Sequence, residues 1–166
     1  MYPICYVCES KVFPASGYSK SNILIIGDAP SDKEIENGRL FMGAAGNVLR
    51  QELALLKADA YRMSFTNLWY HAPNKIEYCF KASVNACLEE AKGKKAILLL
   101  GSDTCEYFTG YKVSDVSGLQ VESNMLSAPI IYAMLQPSIV FSSKGVGEIR
   151  FALSNFVKHI LEEGIL

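Results

Sequence analysis

Long apolar runs are missing from this 166-residue sequence. None reaches the roughly 18 residues that a membrane span requires, so no membrane partner is expected. The opening Met1-Tyr2-Pro3-Ile4-Cys5 has neither the basic nor the apolar region of a signal peptide, and an intracellular, cytoplasmic protein is expected. Positive charge is not in excess either: 16 Lys and Arg stand against 17 Asp and Glu, a formal net charge of −1. Composition therefore does not announce nucleic-acid binding, because phosphate contacts call for a surplus of Lys and Arg. Such a partner would have to be met by a local patch, for which Lys144 and Arg150 are candidates. Internal repeats and low-complexity tracts are absent, which argues against a solenoid or a disordered chain. The five cysteines are an odd number and, in a reducing compartment, read as metal ligands or core residues rather than as disulfides.

Half of the residues are apolar, and the length suits one core, so residues 1–166 are read as a single domain and a monomer is expected. Four short β-rich runs, at residues 22–26, 63–67, 96–100 and 129–134, have the continuous apolar character of strands buried on both faces. Helical patterns lie between them: Asn47 to Leu56, Ser83 to Lys92 closed by Gly93, and Ser102 to Phe108 opened by a serine cap. From Gly147 to Glu163, Ile149, Leu153, Phe156, Val157 and Ile160 recur on one helix face. Strands alternating with helices predict an α/β fold, a four-stranded parallel sheet flanked by helices. Residues 5–21, 28–46, 69–82, 110–128 and 136–146 read as irregular. Ligands of open α/β sheets bind beyond the carboxyl ends of the strands. There the sequence puts Gly27-Asp28-Ala29-Pro30, Thr66-Asn67 and Gln136-Pro137-Ser138, a carboxylate and two amides expected to converge.

These segments resemble the uracil-DNA glycosylase superfamily, most closely its iron–sulfur branch, family 4. The family's Gly-Glu-Ala-Pro-Gly turn appears as Gly27-Asp28-Ala29-Pro30-Ser31, and its Gly-x-Pro-Phe-Val-Gly-x-Ala-Gly segment as Gly38-Arg39-Leu40-Phe41-Met42-Gly43-Ala44-Ala45-Gly46. Thr66-Asn67, Leu98-Leu99-Leu100-Gly101 and Gln136-Pro137-Ser138 match three further motifs, the last in place of His-Pro-Ser. The resemblance implies a hydrolase that removes uracil, or a related pyrimidine, flipped out of DNA. It also implies a four-iron, four-sulfur cluster on a Cys-x-x-Cys pair, a third cysteine and a fourth sixteen residues later. Cys5, Cys8 and Cys87 match three of these positions, and His71 holds the remaining one, sixteen residues before Cys87. Imidazole ligates iron in some clusters, and Cys79 is a rival ligand.

Cleaving the bond between deoxyribose and uracil leaves an anionic base and a sugar gaining positive charge, so a site must stabilise both. It must also stack the flipped base and read its edge. By resemblance Phe41 stacks the base, the alternative being a core aromatic, and Asn67 reads the uracil edge, the alternative being a strand-end turn residue. Asp28 replaces a glutamate that positions water or offsets sugar charge, the alternative being a turn cap. Gly27 and Ala29 complete that turn, and Ser31 either faces the 5-position of the base or is a plain turn serine. Gln136 replaces a histidine that donates to uracil O2. Loss of one such donor costs on the order of 10²–10³ in rate, so weakened turnover or binding alone is the competing reading. Ser138, Ile139, Val140, Phe141 and Lys144 are the expected DNA contacts, with Ile139-Val140-Phe141 matching an apolar wedge pushed into the minor groove. A nucleotide-binding α/β protein is a third reading, weakened by the absence of Gly-x-Gly-x-x-Gly.

Overall fold

The computed structural model describes residues 3–142 and 145–166. Ile23–Gly27 (β2), Ser64–Asn67 (β3), Ala96–Leu100 (β4) and Ile130–Met134 (β5) form the parallel body of the sheet, and Ser16–Gly17 (β1) adds a short antiparallel edge in the order β1-β3-β2-β4-β5. The sheet thus has five strands and not four. The fifth lies in Cys5 to Ser21, where two residues give no periodicity to read. Gly17 there has φ of 88°, which only glycine adopts without strain.

Every residue of β2, β3, β4 and β5 is buried, as continuous apolar runs require. Their side chains alternate between two cores. Ile23, Ile25, Phe65, Leu98, Leu100, Tyr132 and Met134 face Ala44–Leu55 (α2) and Gly145–Glu162 (α6), which supply Leu49, Leu53, Ile149, Leu153, Phe156 and Ile160. Leu24, Ile26, Ile97, Leu99, Ile131 and Ala133 face Glu77–Ala91 (α3) and Ser102–Thr109 (α4), with Val84, Cys87, Cys105 and Phe108. Register aligns Ile25 with Phe65 on one side and with Leu98 on the other. All four parallel strands therefore end on the same side.

Two helices interrupt stretches read as irregular. Asp32–Asn37 (α1) is opened by a capping box, in which the Ser31 side chain meets the Glu34 backbone while Glu34 reaches back to Ser31 N–H, and is closed by Gly38 at φ 70°. Val113–Val116 (α5) is a single turn. Helix α3 also begins at Glu77, six residues before the expected Ser83, and so takes in Cys79. Ser102 makes no side-chain cap: Gly101 occupies the cap position of α4, and a carboxylate from elsewhere in the chain does the capping.

Candidate active site

Beyond the carboxyl ends of β2, β3 and β5 lies a cleft of about 550 Å³. Gly27, Asp28, Ala29, Ser31, Phe41, Asn67, Gln136 and Ser138 all line it, so the expected pocket residues are brought together. Their meeting depends on two glycines. A Cβ on Gly27 would collide with the Asn67 amide oxygen, and one on Gly101, held at φ 99°, would collide with the Asp28 carboxylate and the Gln136 amide.

Asn67 is only 4% exposed, yet among the described residues its carboxamide has no hydrogen-bond partner. Its amide atoms are not sealed from solvent but open into the cleft, so the donor and the acceptor stay available to a ligand with the complementary edge. Phe41 closes one wall. Its ring lies 5.2 Å from that of Phe65, so it is at once a core aromatic and a lining residue. Its backbone has φ of 56°, an uncommon conformation for a non-glycine residue. Glu34 holds it there: its carboxylate accepts from Phe41 N–H, and from Ser31 N–H at 2.7 Å and Ser31 Oγ at 2.8 Å. The Ser31 hydroxyl is thereby committed to the cap of α1.

Asp28 is held by three donors. Thr104 gives its N–H at 2.8 Å and its hydroxyl at 2.5 Å to Oδ1, and Gln136 gives Nε2–H at 3.0 Å to Oδ2. The carboxylate thus caps the amino end of α4, where the exposed N–H groups and the helix dipole favour an anion. Of the roughly four lone-pair sites on a carboxylate, one on Oδ2 remains for a water molecule. Asp103, next to Thr104, has its carboxyl raised above the ordinary range by burial first, and then by the charges of Asp28 and Glu106.

Gln136 has a second acceptor for its amide protons, Leu100 C=O at 3.3 Å. Both N–H bonds of Nε2 are therefore spent on the protein. Two acceptors can be met only by the nitrogen, so the amide orientation is fixed, and the oxygen Oε1 is left without a protein partner among the described residues.

Pro137–Phe141 forms a 3₁₀ turn instead of an exposed loop. Ile139 and Val140 are half-buried and pack against the core with α2 and α6, so the expected three-residue wedge reduces to Phe141, 68% exposed, beside exposed Ser138. Alternating exposure cannot be maintained along a turn of three residues per repeat. Lys144 lies outside the described residues. Arg150, the other candidate cation, is paired with Glu52 at 2.8 Å and joins α6 to α2.

The metal-binding group differs from the expected one in one member. Cys5, Cys8, His71 and Cys79 place their ligand atoms within 4.8 Å of one another. Cys87 is not among them. It sits eight residues further along α3, about 12 Å at 1.5 Å per residue, in the apolar core where burial pushes its thiol up to about 12. The Cys5–Cys8 segment folds as a tight knuckle: Cys5 N–H donates to Ser10 C=O and Glu9 N–H to Cys5 C=O. Burial opposes ionisation of Cys5, but the backbone at Val7 and Cys8 and the Tyr70 hydroxyl outweigh it and bring the thiol down to about 6. Burial raises the Cys79 thiol. A four-iron cube puts a separate iron behind each ligand and so spreads the ligand atoms around the outside of a cluster, whereas these four converge within 4.8 Å of one another. These four donors, as placed, do not fit around it.

Thr104 and Glu34 are the site residues that the sequence reading missed, and Cys79, expected only as a rival to His71, stands beside His71 in the place of Cys87. Ser31-x-x-Glu34 carries a capping-box signature, which marks Glu34. Nothing local marks Thr104, because its partner Asp28 is 76 residues away.

The fold and cleft define a class: an α/β protein with a hollow beyond its strand ends that is lined by an aromatic wall, an unspent amide and an anchored carboxylate. The chain belongs to the uracil DNA glycosylase superfamily, which matches it over residues 14–162. It is similar to the type-4 uracil-DNA glycosylase of Pyrobaculum aerophilum, 35% identical over 75 residues, which cover 45% of this chain and 38% of that protein. The type-4 uracil-DNA glycosylase of Sulfurisphaera tokodaii is 47% identical over 61 residues, 36% of this chain and 28% of its own length. These alignments span about a third of the curated relatives' length.

Proposed function

We propose that this chain excises uracil, or a pyrimidine with the same edge, from DNA by hydrolysing its glycosidic bond. The observation that carries this reading is the Asn67 carboxamide, unpartnered among the described residues and open to the cleft beside the Phe41 ring and the anchored Asp28. An amide offers one donor and one acceptor side by side, the complement of the O4 and N3–H edge of uracil and the wrong pattern for cytosine. Phe41 gives the flipped base a face, and Gly27 leaves room for the Asn67 amide and the Phe41 ring to stand side by side. The remaining lone pair of Asp28 Oδ2 orients a water toward the sugar carbon, and the negative charge offsets the positive charge developing there. Phe141 supports the opening that the flipped base leaves in the duplex. The Cys5–Cys8–His71–Cys79 group stands outside the cleft lining and takes no part in the chemistry.

One observation favours a slower enzyme or a binding protein of the same fold. With both Nε2 protons of Gln136 engaged, no side-chain donor from this position is free for a base carbonyl. Incubation with a uracil-containing oligonucleotide, followed by alkali to cut abasic sites, separates the two readings: strand cleavage supports the enzyme, and binding without cleavage supports the alternative.

A further inference from the structure

We propose that Cys5, Cys8, His71 and Cys79 form a structural site for a single tetrahedral zinc ion, and that Cys87 has no part in it. Zinc–sulfur bonds of about 2.3 Å and zinc–nitrogen bonds of about 2.0–2.1 Å place tetrahedral ligand atoms about 3.8 Å apart for two sulfurs and about 3.6 Å for sulfur and nitrogen. Cys5 Sγ and Cys79 Sγ are 3.8 Å apart, and Cys8 Sγ and His71 Nε2 are 3.5 Å apart. These two edges match a tetrahedron around one ion, and all four donors lie within 4.8 Å of one another.

His71 gives an independent indication. It is fully buried, and its Nδ1 lies 2.7 Å from Ala72 C=O, which can only accept. The proton therefore sits on Nδ1, and Nε2 presents its lone pair to the three sulfurs. A backbone carbonyl fixing the far nitrogen in this way is the usual support of a metal-bound imidazole. Three thiolates and one imidazole complete four-coordination, which leaves no open position for water or substrate and makes the site structural. Soft thiolate donors and the stability order of divalent ions favour zinc over iron(II).

The ion would join three segments: the Cys5–Cys8 knuckle, the Leu68–His71 stretch leaving β3, and the first turn of α3. That stretch begins one residue after Asn67, and Trp69 N–H donates to Asp28 C=O at 2.9 Å. The ion thus braces the two strand exits that carry the amide and the carboxylate.

The test is elemental analysis of the full chain as purified, with cobalt(II) added to the metal-free protein. The expected result is one zinc per chain, no brown colour, and the intense visible bands of tetrahedral cobalt thiolate. Cys79→Ser should bind zinc at least tenfold more weakly, whereas Cys87→Ser should keep one zinc. Four irons per chain with visible thiolate–iron absorption would overturn the single-ion site, and one iron per chain would overturn the choice of zinc. Loss of metal in Cys87→Ser with retention in Cys79→Ser would overturn the ligand set. Should a serine variant fail to fold, stoichiometry and the cobalt spectrum of the parent chain still decide. All of these readouts measure metal and not excision, so this inference and the proposed activity can fail separately.

Discussion

Asp28 serves two ends at once. Its Oδ1 caps α4 through Thr104, and its Oδ2 is shared between Gln136 and the cleft. Asp28→Asn keeps an acceptor for Thr104 but turns an amide donor toward Gln136 and removes the charge. Single-turnover excision should fall at least tenfold, while affinity for a non-cleavable uracil analogue stays nearly unchanged, because the lost interaction strengthens in the transition state. An excision rate equal to the parent's would reduce Asp28 to a helix cap. Gln136→His frees the position from a side chain whose protons are spent on Asp28 and Leu100, and offers an imidazole donor to the base. The gain should appear in the chemical step and not in KM; an unchanged step would mean that Gln136 limits nothing. Asp28, Asn67 and Gln136 could be named as pocket residues from strand order alone. What Gln136 does with its amide could not, since Asp28 lies 108 residues away and Leu100 36.

At the scale of elements, the four buried strands and the helices α2, α4 and α6 follow from apolar runs and helix-face periodicity. The elements that escaped are short or lack periodicity: two-residue β1, six-residue α1 and four-residue α5. Starting α3 at Ser83 had a larger consequence, because it left Cys79 in a loop and gave the sixteen-residue spacing more weight than the helix could support. The 3₁₀ turn Pro137–Phe141 shows the same limit. Three adjacent apolar residues look equivalent in sequence, but the turn rotates Ile139 and Val140 onto the core and leaves Phe141 outside. Phe141→Ala should therefore weaken duplex binding more than single-strand binding, measured by titration of labelled oligonucleotides. Equal losses on both substrates would remove Phe141 from the duplex interface. Val140→Ala should instead show itself in stability, since that side chain packs inward.

For the molecule as a whole, the central sheet sets stability and the metal-binding group positions the strand exits. Leu98 is fully buried in the interior strand β4, whose register runs to β2 on one side and β5 on the other. Leu98→Ala should cost about 2–5 kcal/mol in denaturant unfolding, the range for a large cavity in a close-packed core. Removing the metal from the Cys5–Cys8–His71–Cys79 group should lower the thermal midpoint, by about 2–4 °C for each kcal/mol of binding energy withdrawn. The near-neutral formal charge of −1 leaves little long-range attraction for phosphate, so affinity for DNA should rest on the cleft and on Phe141. The most direct measurement is single-turnover treatment of matched oligonucleotides carrying one uracil or one cytosine, followed by alkali. Strand cleavage at uracil alone, lost in Asn67→Ala, is the result predicted here; no cleavage at uracil, or cleavage unaffected by Asn67→Ala, would contradict a pocket that reads the base through that amide.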